Sequence, residues 1–180
     1  MIIIDSLDHS IQRIAQWIQS QPLDAPLNAP ASEADITALG RAIGLDVPPP
    51  LAALLRFSDG LDRYRLFPTG ERLMSCARIE RIHTRNVEIA RENDDPDWWR
   101  PEWVPFAERP EGHEGFLIDA GHPAHPILKY TEADYPRPHV PSMARLLHAL
   151  AAALHGTQNE PELPFWGRSA SVVDGVIEWS

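Results

Sequence analysis

Three groupings in this chain combine residue types able to do chemistry. The first is the run HEGFLIDAGHPAHP, where His113, Glu114, Asp119, His122 and His125 offer imidazole and carboxylate ligands of the kind zinc prefers. Its spacing argues against a metal. Only two residues separate His122 from His125, fewer than in the usual His-x₃₋₅-His pair, and no His-Glu-x-x-His helix occurs. Asp119 reads instead as a carboxylate at a strand end, facing Lys129 across a hairpin. The second is Cys76, at the start of a predicted helix, where a thiol can be acidified. It adjoins an apolar stripe, and burial of an inert cysteine is the expectation. No Gly-x-Ser-x-Gly elbow, phosphate-binding loop or Gly-x-Gly-x-x-Gly turn is present, so neither catalytic residues nor a cofactor are expected.

The third grouping is acidic and aromatic. From Glu88 to Glu114 there are nine carboxylates and three arginines, a local net charge of −6 within a total of −10. Its centre, ENDDPDWW, sets Glu92, Asp94, Asp95 and Asp97 beside Trp98 and Trp99. Large rings rimmed by carboxylates suit the capture of a basic protein surface, because they bury much area at little entropic cost. These six residues are the candidate partner-binding site. One tryptophan of such a pair commonly faces the core instead, and Trp103 is expected there.

The elements that must hold these groups can be read from periodicity. Ile11, Ile14, Ala15 and Ile18 share a helical face over 9–20, closed by Pro22. After the loop PLDAPLNAP, Ser32 caps a second helix, with Asp35 in a capping-box position, Ile36, Leu39 and Ile43 as its stripe and Gly44 as its end. Pro48–Pro50 break the chain and start a short helix through Leu51, Leu54 and Leu55, which ends at Asp59-Gly60. Short strands are predicted at Tyr64–Phe67 and Leu73-Met74. A helix over 76–91 follows, with Ile79, Ile82, Val87 and Ile89 as its apolar set.

Three strands then follow at Trp103–Ala107, Phe116–Asp119 and Ile127–Thr131, with turns at Glu111-Gly112 and Gly121. A helix over 141–155 carries Met143, Leu146, Leu147, Leu150 and Leu154, with His148 beside that stripe. The ending SVVDGVIEWS predicts a hairpin on an Asp-Gly type I′ turn. This order predicts one α+β domain over residues 1–180, a mainly antiparallel sheet flanked by helices.

Bulk properties narrow the function. At pI 5.2 the chain repels phosphate backbones, and Arg13, Arg41 and Arg56 are single cations with no basic patch, so no direct nucleic-acid binding is expected. One cysteine excludes an intrachain disulfide. The start MIIIDSLDHS lacks the basic region and long apolar core of a secretion signal, and no stretch approaches the ~18 apolar residues of a membrane span. A cytoplasmic protein with no membrane partner is expected.

Several segments together resemble the SUKH superfamily, which includes fungal Smi/Knr-type cell-wall regulators and many bacterial immunity proteins. They are SEADITALGRAIGL followed by DVPPPLAALLRFSDGL, then LFPTGERLMSCARIERIH, then WVPFAERPEGHEGFLIDAGHPAHPILKYTEAD, and the helix after HVPSMARLL. The resemblance covers residues 30–155; the N-terminal helix and the segment after 156 lie outside it. It implies a cytoplasmic immunity protein, not an enzyme, that binds and neutralises a cognate toxin. Asp94, Asp95 and Asp97 would imitate a nucleic-acid backbone if that toxin is a nuclease. The alternative is an intracellular scaffold or adaptor like the fungal members.

Overall fold

Among the described residues, four of the five helices begin on a serine whose hydroxyl accepts a hydrogen bond from the backbone N–H three residues on, so local chemistry sets where those four start. The computed structural model describes residues 5–157 and 161–180; the isoleucines of the N-terminal run lie outside them. In chain order the elements are α1 (Leu7–Ser20), α2 (Glu33–Ile43), α3 (Pro49–Phe57), β1 (Arg72–Leu73), α4 (Cys76–Glu92), β2 (Trp103–Glu108), β3 (Glu114–Asp119), β4 (Ile127–Thr131), β5 (Asp134–Val140), α5 (Met143–Leu154), β6 (Ala170–Val173) and β7 (Val176–Trp179). Ser32 and Asp35 form a full capping box on α2, and Gly44 closes that helix at φ 75. α3 has no side-chain cap and starts on prolines instead.

Strands β1 to β5 form one antiparallel sheet in sequential order, and β6 and β7 form a separate hairpin. The fold is α+β, as the order of elements predicts. The register separates the sheet's two faces. Val104, Ile118, Ile127 and Val140 pair in a row, and all four belong to a large core shared with all five helices. Leu117 pairs with Leu128 on the other face, where they join Trp103, Tyr130, Trp99 and Ala90 in a second, smaller core. All six residues of β2 are buried, because both of its faces are covered. The β2–β3 ladder shifts register between Pro105 and Ala107, and the strands then come so close that a Cβ on Gly115 would lie 2.0 Å from the Ala107 carbonyl oxygen.

The terminal hairpin turns at Asp174 and Gly175, with φ 49 and 76, as a type I′ turn requires. Its turn leaves no room for a side chain at Gly175, which abuts Asp24. Ile177 enters the large core, and the Trp179 indole N–H donates to the Arg65 carbonyl at 3.1 Å.

Other expectations need correction. Tyr64–Phe67 is not a strand. It is an irregular segment whose Tyr64, Leu66 and Phe67 side chains are buried while Arg65 stays exposed, and the Tyr64 hydroxyl donates to the Ala25 carbonyl at 2.6 Å. α3 ends at Phe57, two residues early, because Ser58 goes extended and its hydroxyl donates to the Gly60 carbonyl. On α1 the residue missed is Trp17, which is buried, while Ile11 and Ala15 are half-buried. On α4 the inner face is Ile79, Ile82, His83, Asn86 and Ala90; Val87 and Ile89 are only half-buried. β5 was not expected at all, since Pro136 and Pro138 interrupt it. It survives as the sheet's edge, the place where proline is tolerated.

Two buried carboxylates set the electrostatics of the interior. Glu108, 4% exposed in its side chain, receives Nε and one Nη of Arg78 at 2.7 Å each, joining β2 to α4. Glu71 is fully buried. One of its oxygens accepts from the Thr69 hydroxyl and the other has no partner, and burial pushes its carboxyl above the usual range.

Two outcomes are expected. Arg78→Met strands a buried carboxylate and should cost about 3–5 kcal/mol in urea unfolding, whereas adding Glu108→Leu should restore most of the loss. For Glu71 the folded state holds its proton to higher pH than the unfolded chain. Its burial therefore costs nothing below both pKa values, and stability falls as pH rises from the unfolded carboxyl range through the folded value. Glu71→Gln should melt close to wild type near pH 4 and about 2–4 °C higher at pH 7, a gain of about 1 kcal/mol.

Candidate functional site

The acidic loop begins where α4 ends. Asn93 caps the helix after its last residue Glu92, Asp94 adopts φ 51, and Asp95 N–H reaches back to the Ala90 carbonyl at 2.9 Å while Asp94 N–H reaches that of Arg91 at 3.2 Å. This is a Schellman termination with aspartate in the left-handed position, where glycine is the usual residue. Glu92, Asp94 and Asp95 thus surround the negative end of the helix dipole. Carboxylates are disfavoured there by roughly 0.3–1 kcal/mol each.

Little within the molecule relieves that charge. Among the described residues Glu88, Glu92, Asp94 and Glu102 form no ion pair. Asp97 is exposed and meets the equally exposed Arg100 at 3.0 Å, a pair worth little in water. Asp95 accepts a hydrogen bond from the Tyr135 hydroxyl at 3.0 Å, and that bond holds the phenol above its ordinary pKa. Glu92, Asp94 and Asp97 are exposed and Asp95 is half-buried, so four of the six predicted site residues lie together on one surface.

The two tryptophans divide. Trp98 is half-buried at the edge of the smaller core, whereas Trp99 is 2% exposed within it. The Trp99 ring meets Tyr130 edge-on at 5.1 Å and Trp103 at 6.4 Å; the Arg100 guanidinium lies over Trp103 at 5.1 Å. Trp99 therefore fixes the loop to the sheet and presents nothing to solvent. Trp103 is buried, as expected. At the loop's far end the His83 ring lies 2.8 Å from the Pro101 carbonyl. A carbonyl can only accept, so Nε2 carries the proton, and burial pulls the ring's pKa down and keeps it neutral. The indole N–H of Trp99, that of Trp103 and the Tyr130 hydroxyl are all buried without a partner. A buried donor left unpaired in this way costs about 1–3 kcal/mol, which for Trp99 opposes seating of the loop that carries it.

Tyr135 is the contact that periodicity missed. It is 52% exposed on β5 and meets the loop from 40 residues away. The proline-interrupted segment around it gave no strand signal, and nothing in the sequence couples it to Asp95.

The other chemical groupings do not assemble. Among the described residues no three histidine, cysteine or acidic side chains are placed to hold a metal ion. His113 pairs with Glu132 at 2.8 Å, and Arg85 also binds Glu132 at 2.9 Å; the His113 hydrogen bond, with Arg85, lowers the carboxyl's pKa. Asp119 does end its strand, but its carboxylate accepts from Gly121 N–H at 2.9 Å, and Lys129 lies opposite Phe116 and reaches Glu114 at 3.7 Å instead. The reason is register: Ile118 already pairs with Ile127, the first residue of β4, so Asp119 lies beyond that strand's start. Cys76 is buried, and burial, reinforced by Asp59, pushes its thiol up to about 12, far from a nucleophile's range. His148 is mostly buried and lies 3.2 Å from the Asp5 carboxylate, tying α5 to the start of α1. No described helix is long and apolar enough to cross a membrane.

A comparison with curated proteins finds no match. A family model described as SMI1 / KNR4 family (SUKH-1) matches residues 30–147. The matched span opens just before the capped start of α2, contains all five strands of the main sheet and the acidic loop, and closes inside α5. α1 and the terminal hairpin lie outside the matched span, although Ile14, Trp17, Ile18 and Ile177 join the large core. With about two thirds of its length matched and the antiparallel sheet in place, this chain belongs to the SMI1/KNR4 (SUKH-1) family.

Proposed function

We propose that this protein is a non-catalytic immunity protein of the cytoplasm, which binds and neutralises a cognate bacterial toxin. Its working surface is the loop from Glu92 to Trp98, joined by Tyr135. The observation that carries this reading is the crowding of Glu92, Asp94 and Asp95 around the negative end of α4, where the helix's own field opposes them and, although Arg91 stands in the same turn, none of the three forms an ion pair among the described residues. A fold that keeps charge in such a place has a use for it outside itself. Family membership supports a role in protein association. A negative field over this surface would draw in a basic partner and quicken encounter. If the toxin is a nuclease, Asp94, Asp95 and Asp97 would take the place of the phosphates it grips.

The second reading, an intracellular adaptor like the SMI1 and KNR4 proteins that give the family its name, shares the surface but not the toxin. Co-expression with a toxin encoded beside the gene separates the two. Survival supports immunity, and death of the cells despite abundant folded protein supports the adaptor. For the surface, Asp94→Lys, Asp95→Lys and Asp97→Lys combined should slow association with that toxin at least tenfold at low ionic strength, and less as salt is added. Stopped-flow association rates that stay at the wild-type value would remove the acidic loop from the interface.

A further inference from the structure

Two buried indole donors lie at the acidic loop, on Trp99 within it and on Trp103 just after it. The Trp99 ring meets both Trp103 and Tyr130 edge-on in the smaller core, and among the described residues neither indole N–H has an acceptor. A structural core normally satisfies such groups. Here the loop that brings Trp99 down onto Trp103 and Tyr130 strips water from these donors and returns no hydrogen bond. The same loop gathers Asp94, Asp95 and Asp97 close to Glu92 at the end of α4, so charge repulsion also resists its seated position. Outside the aromatic contacts and its own local turns, three hydrogen bonds hold it down: the exposed Tyr135 bond to Asp95, the His83 bond to the Pro101 carbonyl, and Ala120 N–H donating to the Glu102 carbonyl at the loop's end.

We propose that residues 93–102 form a flap that lifts from the sheet. When open, it exposes a pocket floored by Trp103, Leu117, Leu128 and Tyr130, which accepts an apolar side chain flanked by basic residues on the protein partner. The acidic rim of the flap specifies the basic flanks. The Trp103 indole donor at the floor suits a backbone carbonyl of the same segment. This rests on the reading of the acidic loop as the partner-binding surface, and it makes Trp99 a gate and not an exposed anchor.

Hydrogen exchange of the indole N–H protons in the free, full-length protein tests the flap without needing a partner. The backbone amide of Leu117, in the central strand, reports opening of the whole fold. The Trp99 and Trp103 indole protons should exchange at least about 100-fold faster than that amide. Their rates should be flat at low denaturant, the signature of local opening. Tyr135→Phe, a change at an exposed hydroxyl, should quicken them severalfold. If both indole protons exchange at the Leu117 rate and with its denaturant slope, in wild type and in Tyr135→Phe alike, there is no flap. Slow exchange combined with charge-sensitive association would sink the flap and leave the binding surface standing; fast exchange combined with charge-insensitive association would do the reverse.

Discussion

Burial of the central sheet on both faces is the constraint from which the rest of this structure follows. An antiparallel sheet can leave one face to water, but β2 and β3 carry apolar side chains in both directions, and each face needs a cover. The large core takes one face, with α5 the most deeply buried of its helices. The other is closed by the end of α4 and by the tryptophan loop that follows it. The bidentate Arg78–Glu108 pair fixes α4 against β2 at one end of this cover, and Trp99 fixes the loop at the other. A carboxylate on that loop is therefore held in position by apolar burial a few residues away. Charge presentation and core formation are two consequences of one piece of packing.

Local and global preferences agree through most of the chain and part company at the end of α4. Serine caps, the left-handed glycine after α2 and the Asp-Gly hairpin turn each sit where backbone chemistry favours them. After α4, by contrast, aspartate occupies a glycine position, acidic residues crowd the wrong pole of a helix, and buried donors go unmatched. Real proteins break such rules chiefly at functional sites. Three independent departures within about a dozen residues make this the part of the surface least explained by folding alone.

What the sequence made legible was whatever depends on neighbours along the chain. The capping box at Ser32 and Asp35, the stripe of α5 and the turn at Asp174 and Gly175 are each set within a few residues, and each appears as read. The misreadings involve tertiary competition. Tyr64 to Phe67 reads like a strand, yet Leu66 and Phe67 are drawn into the core and the buried Tyr64 is tied to the Ala25 backbone. β5 contains two prolines, which weigh against a strand in any local reading. Only the open edge of β4 supplies the reason for it to form. The acidic grouping was visible as composition, but the division between an exposed cluster and a buried Trp99 depends on which ring finds Tyr130, and no spacing rule encodes that. Asp119 and Lys129 were matched by proximity in sequence, whereas the β3–β4 register sets Lys129 opposite Phe116.

The edges of the sheet bear on how a partner can be held. Protein association often proceeds by adding a strand to an open edge. Here β1 is two residues long, and β5 has no N–H to offer at Pro136 or Pro138, a common means of blunting an exposed edge. Backbone pairing along this sheet is thus poorly supported at both ends. The side chains at the β5 edge are better placed, since Tyr135 projects from that strand and meets Asp95 of the loop. An edge closed to strand addition yet furnished with an exposed aromatic and adjacent carboxylates leaves recognition to side-chain chemistry. Side-chain surfaces can diversify while the fold beneath them stays fixed, because no hydrogen bond of the sheet depends on which residue stands at 94, 97 or 135.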